Sequence, residues 1–186
     1  MKRLIVVICL LASLSGCQQS EHELDRALLL RNKTVSANQC SFFASISAEY
    51  DNEVYTFDLI CKEEKDNDMS FAVIKPDTIT GISGTIDESS GKLTFDDEIL
   101  AFELMIDNRL SPISAPWLML HLLKSGYIAA CGKEGDGIHI QLEDTYAGEK
   151  VLIDLYTDNE NNPIRADILW KGQRRLSIIV KEYSVV

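Results

Sequence analysis

The chain has 186 residues, 46% of them apolar, and 18 basic against 29 acidic side chains give a formal net charge of −11. With no basic stripe to neutralise phosphates it is not a nucleic-acid binder, and an anionic bilayer would repel it. His22, His121 and His139 stand too far apart for metal-ligand spacing and no Cys-x-x-Cys occurs, so no metal or cofactor is expected.

Met1-Lys2-Arg3 is a short positive segment, Leu4 to Leu14 is apolar, and Leu14-Ser15-Gly16-Cys17 follows. An apolar run of about 7–15 residues closed by small residues is the pattern of a secretory signal, and it is too short for the ~20 residues of a spanning helix. Leu-Ser-Gly-Cys resembles the bacterial lipobox, so cleavage is expected before Cys17 and lipid on its thiol. Two or three acyl chains anchor stably, since each buried CH₂ contributes about 0.8 kcal/mol. The expected location is the extracytoplasmic face of the cell membrane, or an outer membrane in a two-membrane cell, because Gln18 rather than Asp follows the cysteine. Removing residues 1–16 leaves 186 − 16 = 170 residues, and losing Lys2 and Arg3 leaves 16 basic against 29 acidic, a net −13. That length suits one domain, which buries about 70% of its unfolded surface. The expected organisation is a signal peptide over 1–16, a lipid-anchored tether with a short helix over 17–38, and a β-rich domain over 39–186.

From Ser20 to Lys33, apolar Leu24, Ala27, Leu28 and Leu30 follow a helical spacing, with acidic residues in the first turn. From Gln39 the period becomes two. Phe42, Ala44, Ile46, Ala48 and Tyr50 share one face of a strand, and Tyr55, Phe57, Leu59 and Cys61 one face of the next, with Asp51-Asn52 as the turn. Strands are predicted at 69–75, 80–86, 92–95 and 99–106, separated by Asp66-Asn67-Asp68, Pro76-Asp77 and Glu88-Ser89-Ser90-Gly91; the carboxylates Asp96-Asp97-Glu98 read as turn residues. Trp117 to Lys124 then breaks the pattern with a helix that Ser114 should cap, Pro116 start and Gly126 stop. Only His121 and Lys124 in it are polar, so most of its faces should be buried. Strands return at 127–131, 137–142, 150–157, 164–170 and 176–183.

About ten strands with an apolar helix among them predict an α+β fold, mainly antiparallel: a curved, half-open β-barrel around one central helix, preceded by an N-terminal helix. A helix packed flat on a sheet is the alternative. Cys40 and Cys61 should lie on neighbouring strands near the open end of the first hairpin, where a disulfide is one option outside the cytoplasm. Cys131, in an apolar stretch, reads as a small buried hydrophobe.

Phe71-x-Val73 with Pro76, Gly81-x-x-Gly84-x-Ile86, Leu93-x-Phe95, Ser111-Pro112 through Pro116, Leu120 and Leu123 to Gly126, then Asp154-Leu155, Pro163-x-x-Ala166-x-Ile168 and a closing strand to Tyr183 form a pattern. It resembles the LolA/LolB-type lipoprotein-carrier superfamily, especially its germination lipoproteins in spore-forming bacteria. The resemblance implies a half-open β-barrel closed by helices over an apolar cavity. Carriers of this kind hold acyl chains, whereas relatives in spore formers partner cell-wall enzymes, a role in spore cortex or germination. The carrier proper has an arginine on an early strand that ties its lid to the barrel, and none occurs here from Phe42 to Val73.

A non-enzymatic binding module is therefore expected, for an acyl ligand or an envelope or cell-wall partner protein, with Trp117, Leu118, Leu120 and Leu122 as the residues that would line an apolar site. The alternative is an envelope-polymer hydrolase, or its accessory subunit, using His121 or His139 with a nearby carboxylate. His22 should be solvated, His139 should face outward from its strand, and His121 should be a hydrogen-bonded core residue.

Overall fold

The computed structural model describes residues 18–50, 53–64, 68–88, 90–95, 98–102, 105–106, 109–146 and 148–186. The expected signal and lipidation segment through Cys17, the turn residues Asp51-Asn52, Asp66-Asn67, Ser89 and Asp96-Asp97 lie outside them. Helix α1 spans Gln18–Ser36. It is followed by β1 (Gln39–Tyr50), β2 (Glu53–Glu64), β3 (Met69–Lys75), β4 (Ser83–Ile86), β5 (Gly91–Phe95), β6 (Glu98–Phe102), β7 (Met105–Ile106) and β8 (Arg109–Leu110). Helix α2 (Ala115–Ser125) leads into β9 (Tyr127–Glu134), β10 (Gly137–Tyr146), β11 (Glu149–Thr157), β12 (Pro163–Trp170) and β13 (Gln173–Val185).

Eleven strands form one antiparallel sheet in the order β6-β5-β4-β3-β2-β1-β13-β12-β11-β10-β9, and β7 and β8 pair separately. The sheet is a curved half-barrel that does not close. Its seam is β1 against β13, where Ala44 faces Val180 and Ile46 faces Ile178, so the first and last strands lie side by side. The period of two seen in β1 is a burial period: Cys40, Phe42, Ala44, Ile46 and Ala48 point to the core and the residues between them do not. Leu59 and Cys61 of β2, Ile138, Ile140 and Leu142 of β10, Val151, Ile153 and Leu155 of β11, and Ile168 and Ile178 of β12 and β13 continue that face. Each such side chain contributes about 1.5–3 kcal/mol on leaving water.

Two elements differ from the sequence expectation. The strand expected at 80–86 begins at Ser83, because a 3-10 turn over Asp77–Ile79 and a positive φ of 94° at Gly81 delay it. The strand expected at 99–106 is instead two, β6 and β7. Close backbone approach explains Gly137, the first residue of β10. A Cβ there would sit 1.8 Å from the carbonyl oxygen of Thr157 and 2.6 Å from its carbon. Neither atom can rotate away, so Gly137→Ala should lose roughly 1–3 kcal/mol by overpacking. A urea midpoint within error of the parent's would show that the β10–β11 backbones can separate there.

Candidate functional site

α2 occupies the concave side of the sheet. Eleven residues make a helix that is marginal alone in water, so its stability comes from packing. Trp117, Leu118, Leu120 and Leu122, the residues expected to line an apolar site, are only 0–2% exposed, as are Met119 and Leu123. They belong to one apolar cluster with the inward-facing residues of the strands.

The helix start differs from expectation. The Ser114 side chain caps nothing on α2; a 3-10 turn over Pro112–Ser114 precedes the helix, and the Ser114 hydroxyl donates back to the Ser111 carbonyl at 2.6 Å. Gly126 does end the helix, its N–H bonding the Leu122 carbonyl at 2.8 Å. Two cations then hold that end. Arg31 of α1 donates from Nε to the Leu123 carbonyl at 2.7 Å and from Nη2 to the Gly126 carbonyl at 2.6 Å. The Leu123 carbonyl is one of α2's last four, which carry the negative end of its dipole, and Gly126 is the residue just past the helix. Lys124 Nζ lies 2.5 Å from Glu63 Oε2, and Glu63 is 3% exposed on β2, across the concave face from the strands that α2 packs against. The helix is tied down by Arg31 from α1 and by its own Lys124. Sequence reading missed both because their partners are 92 and 61 residues away.

Cys40 and Cys61 are free thiols on one face, at diagonal positions: Cys40 pairs with Glu63 and Cys61 with Phe42. Burial pushes both thiols up, Cys40 to about 11 from 9.0, and burial likewise raises the Tyr183 hydroxyl, which hydrogen-bonds to Thr34 at 2.9 Å. Thiolate is the nucleophile, so at pH 8 iodoacetamide should leave both cysteines unmodified in the native protein while alkylating them in urea. A raised folded pKa stabilises below the unfolded value and is lost as pH rises through the folded one. Stability should therefore fall from about pH 9 upward as Cys40 approaches its folded value of about 11. A flat alkaline limb in pH-dependent unfolding would contradict this.

The histidines do not converge. His22 is exposed, as expected. His139 lies on the outer sheet face, where its Nε2 is 2.9 Å from Asp154 Oδ1 and its ring stacks on Tyr156. Gln141 donates to the same Asp154 oxygen at 3.1 Å, and Arg165 lies over the Tyr156 ring. His121 is not the core residue expected. It is half-buried on α2, stacked on Trp117 at 4.6 Å between ring centres, with Asp144 at 3.9 Å. The sheet separates the two rings, so they cannot act on one substrate atom. Among the described residues no group of three His, Cys, Asp or Glu could hold a metal ion.

The outer face also carries an apolar row. Phe43 of β1 pairs with Ile60 of β2, and Ile60 with Ala72 of β3. Ile60 is 53% exposed, and Lys181 of β13 lies over the Phe43 ring. In the sequence Phe43 and Ile60 stand among polar neighbours at i±2 (Ser41, Ser45, Asp58 and Lys62), but only the strand register brings them together with Ala72.

No family model matches the sequence, and no curated protein matches it. Several solved structures are similar in fold. A putative outer membrane lipoprotein-sorting protein domain from Vibrio parahaemolyticus is 10% identical, with 89% of this chain and 93% of that one covered and a TM-score of 0.48. A LolA superfamily protein from Nitrosomonas europaea is 11% identical over 86% of this chain and 93% of its own, at 0.45. The GerS lipoprotein structure, with the CwlD amidase of Clostridioides difficile, gives 15% identity, 90% and 96% coverage and 0.41. The likeness is to a LolA-like fold. It extends to architecture alone, and what this chain binds has to be argued from its own surfaces.

Proposed function

We propose that the protein is a lipid-anchored, non-enzymatic binding module that engages an envelope partner protein through the outer face of its half-barrel. The observation that supports this reading is the burial of α2 against the concave face. Trp117, Leu118, Leu120 and Leu122 are buried, and Arg31 and Lys124 pin the end of their helix, so an acyl chain could enter only by displacing α2. The row Phe43–Ile60–Ala72 offers an exposed apolar strip on a rigid sheet instead. Apolar contact ringed by polar groups is what a protein interface needs. The lipobox pattern at Cys17 supports anchoring at the extracytoplasmic side of a membrane, and the sequence resemblance supports a cell-wall enzyme as the class of partner, in cortex or germination.

A photoreactive residue at Ile60 in the producing cell tests this. The expected result is a discrete adduct with a wall-modifying enzyme, which excess unlabelled parent protein suppresses in competition and excess Ile60→Glu protein does not. The reading is wrong if Ile60 gives no adduct while the delipidated protein takes up a fluorescent fatty acid stoichiometrically. That result would favour acyl binding beneath a mobile α2.

A further inference from the structure

α1 is docked along one stripe. Glu23, Ala27, Leu30 and Thr34 are buried, Arg31 reaches the end of α2, and Asn161 donates from its amide to the Arg26 carbonyl at 2.8 Å. Four apolar side chains of the same helix nevertheless stay open: Leu24, Leu28, Leu29 and Val35, at 40%, 39%, 64% and 56% exposure. Leu24, Leu28 and Val35 follow Cys17 by 7, 11 and 18 residues. At about 3.6 residues per turn their own separations of 4 and 7 residues are close to one and two turns, so the three share one side of α1. Arg31 lies between this stripe and the buried one, and its acceptor Gly126 is followed by Tyr127, 72% exposed.

We propose that α1 lies along the bilayer, with Leu24, Leu28 and Val35 in the interface and Tyr127 beside them. This rests on lipidation at Cys17. The physical basis is threefold. First, the chain has no slack: α1 begins at Gln18, immediately after the cysteine in sequence, and is docked from Glu23 onward. Second, a helix with one apolar stripe sinks that stripe into the headgroup boundary, and an exposed tyrosine is at home at the same level. Third, acyl chains attached one residue before α1 would hold the helix at the membrane surface, so lipid and open stripe engage together rather than in competition. Charge gives no help. Glu21 and Asp25 lie on α1 near the stripe, and the mature chain is net negative, so the contact is apolar and needs no anionic lipid. Because α1 packs on α2, β9 and β10 at the helix side of the sheet, the outer face with Phe43 and Ile60 turns away from the membrane.

The test uses the full lipidated protein in phosphatidylcholine vesicles, with a photoreactive phenylalanine analogue placed singly at Leu28, Val35 or Ile179, the last on the outer face of β13. Lipid adducts at Leu28 and Val35 should exceed those at Ile179 several-fold and be unchanged between low and high salt. In the Leu24→Gln, Leu28→Gln variant, which alters only open side chains, the adduct at Val35 should fall to the Ile179 level while the protein still floats with the vesicles. Equal, background yields at all three positions in protein that floats and carries acylated Cys17 would overturn the orientation alone. Protein that neither floats nor shows acylation by mass spectrometry would overturn the anchoring reading and the orientation with it.

Discussion

Lys124→Ala will destabilise the domain by about 3–5 kcal/mol, measured as a fall in the urea midpoint. The reason is the position of Glu63. Its carboxylate is 3% exposed on β2, and Lys124 Nζ at 2.5 Å is the cation that accompanies it out of water. Deleting the lysine leaves a buried charge whose desolvation is no longer offset. A second variant separates that penalty from simple loss of a contact. Lys124→Met with Glu63→Met replaces both charges by apolar groups of similar length, and most of the lost stability should return, because a buried pair is worth little against a packed apolar isostere. If the single substitution lowers stability by less than ~1 kcal/mol, water reaches Glu63 and α2 is not pinned across the concave face.

Trp117→Ala should lose a similar amount, about 3–5 kcal/mol, by a different route. The indole is 2% exposed, packed in the core and stacked on His121. Truncation removes its transfer free energy and leaves a void that the surrounding β-sheet is too stiff to collapse. The same variant bears on the acyl reading. A void lined by apolar residues stays dry and takes small apolar guests. Indole should therefore raise the melting temperature of Trp117→Ala and leave that of the parent unchanged. Stabilisation of the parent by indole would mean that space already exists beside α2, which would favour the acyl reading over a surface partner.

Much of this architecture was legible in the residues. Cys40, Phe42, Ala44, Ile46 and Ala48 alternate because β1 has one face in the core, and the alternation survives any choice of neighbour strand. The apolar run from Trp117 to Leu123 needs burial on most of its faces, which a curved sheet supplies. Strand starts were less legible where a turn intervenes, as at Gly81, since the local apolar pattern runs on through a change of backbone direction. The role of Ser114 was misread for a related reason. A serine before a helix satisfies the capping pattern, yet Pro112 starts a 3-10 turn in which the hydroxyl finds the Ser111 carbonyl first.

Sequence alone determined which side chains must leave water and with what period, because transfer free energy and backbone geometry are local properties. It therefore specified a strand-rich shell, a greasy central helix and an N-terminal helix. Tertiary structure decided what those elements meet. The pairing of Glu63 with Lys124, the seat of Arg31 on the α2 carbonyls, the separation of His121 from His139, and the outer row of Phe43, Ile60 and Ala72 all depend on sheet order and register. Those are set by the fit of segments many tens of residues apart, and no local pattern encodes them.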